Sequence, residues 1–66
     1  MYHLTKREIE IAKCLIKGMK NMEIASELFI SKHTVKAYVS SIMSRLNAKN
    51  RTEVAYILGR ENIIEL

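Results

Sequence analysis

Lys32, Lys36, Arg45, Lys49 and Arg51 all fall within residues 28–52, a stretch without a single acid, while the seven acids of the chain lie at positions 8–27 or 53–65. The chemistry open to such a segment is electrostatic. Ammonium and guanidinium groups neutralise a polyanion, and each phosphate neutralised releases a condensed counterion. Hydroxyls at Ser31, Thr34, Ser40, Ser41 and Ser44 stand between the cations and add short donors and acceptors. The net charge of +4 points the same way, towards nucleic acid, an acidic membrane surface or an acidic protein.

Other chemistries find little to work with. His3, His33 and Cys14 have no close spacing, so no zinc set is expected, and the lone cysteine reads as a buried, inert thiol. No nucleophile stands with a plausible base, no glycine loop cradles a phosphate, and 66 residues are too few to enclose a substrate pocket. An enzyme is therefore not expected, nor a cofactor or a small-molecule ligand. Apolar runs are short, as in Leu28-Phe29-Ile30, which argues against a membrane span and against the apolar stretch of a signal peptide. With no disulfide possible, the expected place is the cytoplasm.

The elements that must carry these residues are read from caps and periods. With 48% hydrophobic residues, no proline and only Gly18 and Gly59 as helix interruptions, residues 1–66 form one all-α domain. Thr5 and Glu8 have the spacing of a capping box, which starts a helix over about 5–18 with Ile9, Ala12, Leu15, Ile16 and Met19 on its apolar face. Gly18 marks its end. Asn21 is placed to cap a second helix over 21–28, burying Ile24, Ala25 and Leu28. Phe29 and Ile30 keep the apolar character but break the period, and Ser31 is again a cap residue, so a tight turn is predicted before a third helix over 32–46. Asn50 and Glu53 repeat the cap spacing and open a fourth helix over 51–60, with Val54, Ile57 and Leu58 turned to the core.

Two faces remain after burial is assigned. On the third helix, Val35, Val39, Ile42 and Leu46 make the buried stripe. Opposite them lie Lys32, His33, Lys36, Ala37, Ser40, Ser41 and Ser44, small and basic side chains that let a polyanion approach closely. On the fourth helix, Thr52, Ala55, Tyr56 and Gly59 recur at i, i+3, i+4 and i+7, small residues around one aromatic, which fits a surface for another helix.

Several segments taken together resemble the LuxR-type helix-turn-helix domains, the family that includes NarL/FixJ response-regulator output domains and GerE-like small regulators. They are Leu4-Thr5-Lys6-Arg7-Glu8, Gly18, Asn21-Met22-Glu23-Ile24-Ala25, Leu28-Phe29-Ile30-Ser31, Thr34-Val35-Lys36 and the run from Leu46 through Asn50-Arg51-Thr52-Glu53. The resemblance implies a compact four-helix domain that binds double-stranded DNA as part of a bacterial transcription regulator. Its third helix would enter the major groove and its fourth would form a homodimer. Carried over by position, Lys36, Ala37 and Ser40 would face bases, while Lys32, Thr34 and Lys49 would meet the backbone. Arg51, in the loop region beside the groove, joins them from its charge and place. Thr52, Ala55, Tyr56 and Gly59 would form the dimer surface, and RNA polymerase is a further candidate partner. Lys20 departs from the Ser or Thr cap common in the family, and Tyr38 replaces a frequent His.

Two other readings share some of these features. A sigma-factor region 4 domain has a similar opening helix and motif, and a basic helical module could meet an acidic protein instead. The fourth helix with its Asn50-to-Glu53 cap favours the LuxR type over the first.

Overall fold

Thr5 starts the first helix as its spacing to Glu8 predicts: the Glu8 N–H donates to Thr5 Oγ1 at 3.1 Å, and the Thr5 N–H donates to Glu8 Oε1 at 2.8 Å. The computed structural model describes residues 4–60. These form four helices, α1 (Lys6–Ile16), α2 (Asn21–Leu28), α3 (Lys32–Leu46) and α4 (Arg51–Arg60), with no strand among the described residues. Helix α1 packs on α4 and α3, and α2 packs on α3.

α1 is shorter than its periodicity suggests. It ends at Ile16, with Lys17 as C-cap and Gly18 in the left-handed region at φ 80°. The Gly18 N–H then donates to the Leu15 carbonyl at 3.0 Å and the Met19 N–H to the Cys14 carbonyl at 3.1 Å, a Schellman closure. Space is not what demands glycine here, since a Cβ would meet nothing within 4 Å; the backbone conformation does.

The next two helices close in the same way. Phe29 (φ 58°) and Asn47 (φ 54°) take the left-handed place, and the following N–H groups reach back, Ile30 to Ala25 O at 3.0 Å and Ala48 to Met43 O at 2.9 Å. In each case the residue after the left-handed one, Met19, Ile30 or Ala48, packs against the core. One device therefore sets all three interhelical turns: a reversed backbone residue followed by an apolar anchor.

Helix starts follow their caps with one correction. Ser31 Oγ accepts from the Thr34 N–H at 3.0 Å, and Asn50 Oδ1 accepts from the Glu53 N–H at 2.9 Å. Asn21, by contrast, is not a cap. It is the first residue of α2, and the cap position belongs to Lys20. The Glu23 carboxylate accepts the Lys20 N–H at 2.7 Å, but the Lys20 ammonium has no lone pair to offer in return. Half of a capping box therefore starts α2.

The core is made of Ile11, Ala12, Cys14 and Leu15 from α1, Ile24 from α2, Val35, Val39, Ile42 and Leu46 from α3, and Val54 and Leu58 from α4. Each large aliphatic side chain removed from water contributes about 1.5–3 kcal/mol, so these few carry most of the stabilisation. On α1 the buried face is turned from the expected one: Ile11 and Cys14 are inside, while Ile9, Ile16 and Met19 are half-buried at the margin. α1 touches two other helices, and the arc it buries is wider than one stripe. Burial pushes the Cys14 thiol up, so it stays protonated in the core.

Candidate nucleic-acid interface

Val35, Val39, Ile42 and Leu46 are all buried, and this fixes which side of α3 faces out. Lys32, His33, Lys36, Ala37, Ser40 and Ser44 lie exposed on that outer side. No acidic residue occurs anywhere in α3, so its outer face is uniformly neutral or positive. The Ser31 cap holds the start of the helix, and the Ser31 hydroxyl also donates to Thr34 Oγ1 at 2.8 Å. Half-buried Thr34 thus accepts from Ser31 and keeps its own hydroxyl proton for an outside acceptor. A phosphate oxygen at the positive end of α3 suits that donor.

Ser41 does not belong to this outer face. It is half-buried, and its hydroxyl donates to Glu8 Oε2 at 3.1 Å. Arg45 Nε lies 3.3 Å from the same oxygen. Glu8, only 3% exposed, therefore ties the start of α1 to the middle of α3. Bonding from the Thr5 N–H holds its carboxyl below the ordinary value of 4.5 against the opposing effect of burial, helped by Ser41 and Arg45. The sequence marks Glu8 as a helix-cap residue but gives no sign of this second role.

The segment after α3 contains Lys49, exposed, with its backbone N–H fixed by Glu53 Oε1 at 2.8 Å. Arg51 is differently employed. Its Nη1 donates to Asn21 Oδ1 and its Nη2 to the Met19 carbonyl at 2.7 Å, so this half-buried guanidinium staples the start of α4 to the connection between α1 and α2. Lys32, Thr34, Lys36, Ala37 and Ser40 thus share the α3 side, Lys49 stands in the loop, and Arg51 sits behind it with both terminal nitrogens occupied. On α4, Thr52 and Gly59 are exposed, Tyr56 is 63% exposed and Ala55 half-buried, which leaves the second stripe uncovered in the single chain. Among the described residues no group of three or more His, Cys, Asp or Glu side chains is arranged to hold a metal, and His3 lies outside them. No described helix is long and apolar enough to cross a membrane.

The sequence profile of the bacterial regulatory proteins of the luxR family matches residues 2–58. The chain belongs to this family. It is 41% identical over 61 residues to the transcriptional regulatory protein LiaR of Bacillus subtilis, a match covering 92% of this chain and 29% of that protein. The response regulator protein VraR of Staphylococcus aureus is 42% identical over 62 residues, covering 94% of this chain and 30% of VraR. Among solved structures, the transcription factor GerE superposes with a TM-score of 0.84 at 29% identity, covering 94% of this chain and 92% of GerE. The response regulator ChrA of a heme-sensing two-component system gives 0.88 at 38% identity, covering 97% of this chain and 32% of ChrA. The chain thus spans less than a third of the length of LiaR and VraR. This LuxR-family chain is a transcription-regulator DNA-binding domain, a class of binding module and not of enzyme.

Proposed function

We propose that the domain binds double-stranded DNA with sequence preference, laying α3 in the major groove, and that it does so as a homodimer joined through α4. The observation that carries this reading is the exposed, acid-free outer face of α3, held outward by a fully buried stripe on the other side. A cylinder of this kind fits the major groove, where each base pair presents its own pattern of donors and acceptors. Lys36 is the one long donor in the middle of that face and suits guanine O6 and N7. Ala37 suits a thymine methyl, and Ser40 either base type. Lys32, Thr34 and Lys49 neutralise or bond the backbone, while Arg51 positions α4 through its bonds to Asn21 and Met19. Such a regulator works where the chromosome is, in the cytoplasm.

Binding sites selected from random duplexes, followed by titration over a range of salt, test the reading. The expected result is duplex binding whose affinity falls steeply with salt, with Lys36→Ala losing about 1–3 kcal/mol of discrimination at one base pair while the fold is kept. A uniform loss over all sequences would move Lys36 to the backbone contacts. A domain that ignores duplex DNA even at low ionic strength is not what we describe.

A further inference from the structure

The core holds α3 through aliphatic groups, Val35, Val39, Ile42 and Leu46. Apolar burial is non-directional, so it selects the side of the helix that faces inward more sharply than it selects the angle. On the flank towards the start of α1, packing gives way to an open cavity of about 370 Å³, lined in part by Glu8, Thr34, Ala37, Tyr38 and Ser41. The link that crosses this flank is polar and directional. Ser41 Oγ donates to Glu8 Oε2 at 3.1 Å, and Arg45 Nε, one turn further along α3, lies 3.3 Å from the same oxygen.

The carboxylate is itself held. Its other oxygen takes the Thr5 N–H at 2.8 Å, and the residue is buried, so it is a fixed point on α1. Two α3 side chains one turn apart meet that point, which sets both the roll of the helix and its position along its axis. The outer face depends on both. A roll of about 10° carries an atom about 6 Å from a helix axis through about 1 Å, whereas a binding constellation has to be held to about 0.5 Å. Ser41 adjoins Ser40 and lies one turn from Ala37. Lys36 has a flexible stem that can follow a displaced base edge; Ala37 and Ser40 are too short to do so.

We propose that Glu8 is a positioning residue for base discrimination: through Ser41 and Arg45 it sets the roll of α3, and so the alignment of Ala37 and Ser40 with base edges, without touching DNA itself. The proposal rests on the DNA-binding reading above.

Discrimination between a selected duplex and its single-base variants, measured well below the melting temperature, tests it. Ser40→Ala first marks the base pair that Ser40 reads. Ser41→Ala breaks the link, leaves Glu8 on the Thr5 N–H and puts a better helix former into α3, so the fold is kept. It should lower discrimination at the marked base pair several-fold, with the salt slope and the affinity for random duplex unchanged. Glu8→Gln should lower the same ratio, and the double variant should fall no further than Glu8→Gln alone, because both changes break one link. Ser41→Thr keeps the hydroxyl and should keep the ratio. Val54→Ala, which weakens the core from α4, should lower the melting temperature and leave the ratio as it is. An unchanged ratio in Ser41→Ala and Glu8→Gln, or an equal loss in Val54→Ala, reduces Glu8 to a stabilising residue and overturns the proposal while leaving the α3 reading intact. A loss confined to Ser41→Ala puts the Ser41 hydroxyl itself on DNA and overturns the proposal too. Absence of any preferred duplex for the unaltered domain overturns the α3 reading, and the positioning role with it.

Discussion

Glu8 divides one carboxylate between two tasks. Oε1 takes the Thr5 N–H and begins α1, while Oε2 takes the Ser41 hydroxyl and faces Arg45 on α3. A buried carboxylate is stabilising only when its lone pairs are filled, and here they are. Because its folded-state pKa lies below the ordinary value of 4.5, its contribution is complete above that pH and is lost as pH falls through the folded value. Urea unfolding of the natural domain should thus show stability declining once pH drops below about 4.5, and Glu8→Gln should flatten part of that decline while costing about 1–3 kcal/mol near neutrality. An acid limb identical in the two proteins would remove Glu8 from its cause. Half of this residue was legible in sequence: a threonine and a glutamate three apart announce a cap through their own chemistry. The other half depends on Ser41, 33 residues away, and acids are by default placed outside. The staple made by Arg51 was hidden for the same reason, since its partners Asn21 and Met19 become neighbours only on folding.

At the level of the element, the helices were visible because their apolar residues recur at three and four; α3 and α4 begin and end where periodicity and caps place them, and α2 has the expected extent without the expected cap. What sequence could not show is which residue reverses the backbone at each end. Gly18 is transparent in that respect, and Asn47 is a tolerated choice. Phe29 is neither: it is 94% exposed and left-handed, with no side-chain burial to offset the strain. Phe29→Gly should therefore raise stability by about 0.5–1 kcal/mol, after the extra freedom glycine has in the unfolded chain, and the melting temperature by a few degrees. A fall in melting temperature would mean that the phenyl ring contributes in the folded domain. The cap of α2 failed in the other direction. Asn21 is the better cap by residue type, yet Glu23 counts three back to Lys20 and sets the helix start there.

For the whole molecule, charge is concentrated on the acid-free face of α3 and in an open cavity lined by the cations Lys20, Lys32 and Arg51, while the α4 stripe of Thr52, Ala55, Tyr56 and Gly59 is uncharged and meets that cavity at Thr52. Tyr56→Glu changes a residue that is 63% exposed, so folding should be little affected; a dimer packed through that ring should dissociate, and a two-half-site operator should lose far more affinity than a single half-site. A sedimentation coefficient for the mutant that still matches the dimer would remove α4 from the interface. The Arg51 staple then acquires a meaning beyond stability. It locks the start of α4 to the corner where α1 passes into α2, and so fixes the angle between α4, which we propose as the pairing helix, and the helix-turn-helix. In a dimer paired through α4, that angle is the gauge of the assembly: one guanidinium sets how far apart two half-sites must lie, and how little their spacing is allowed to vary.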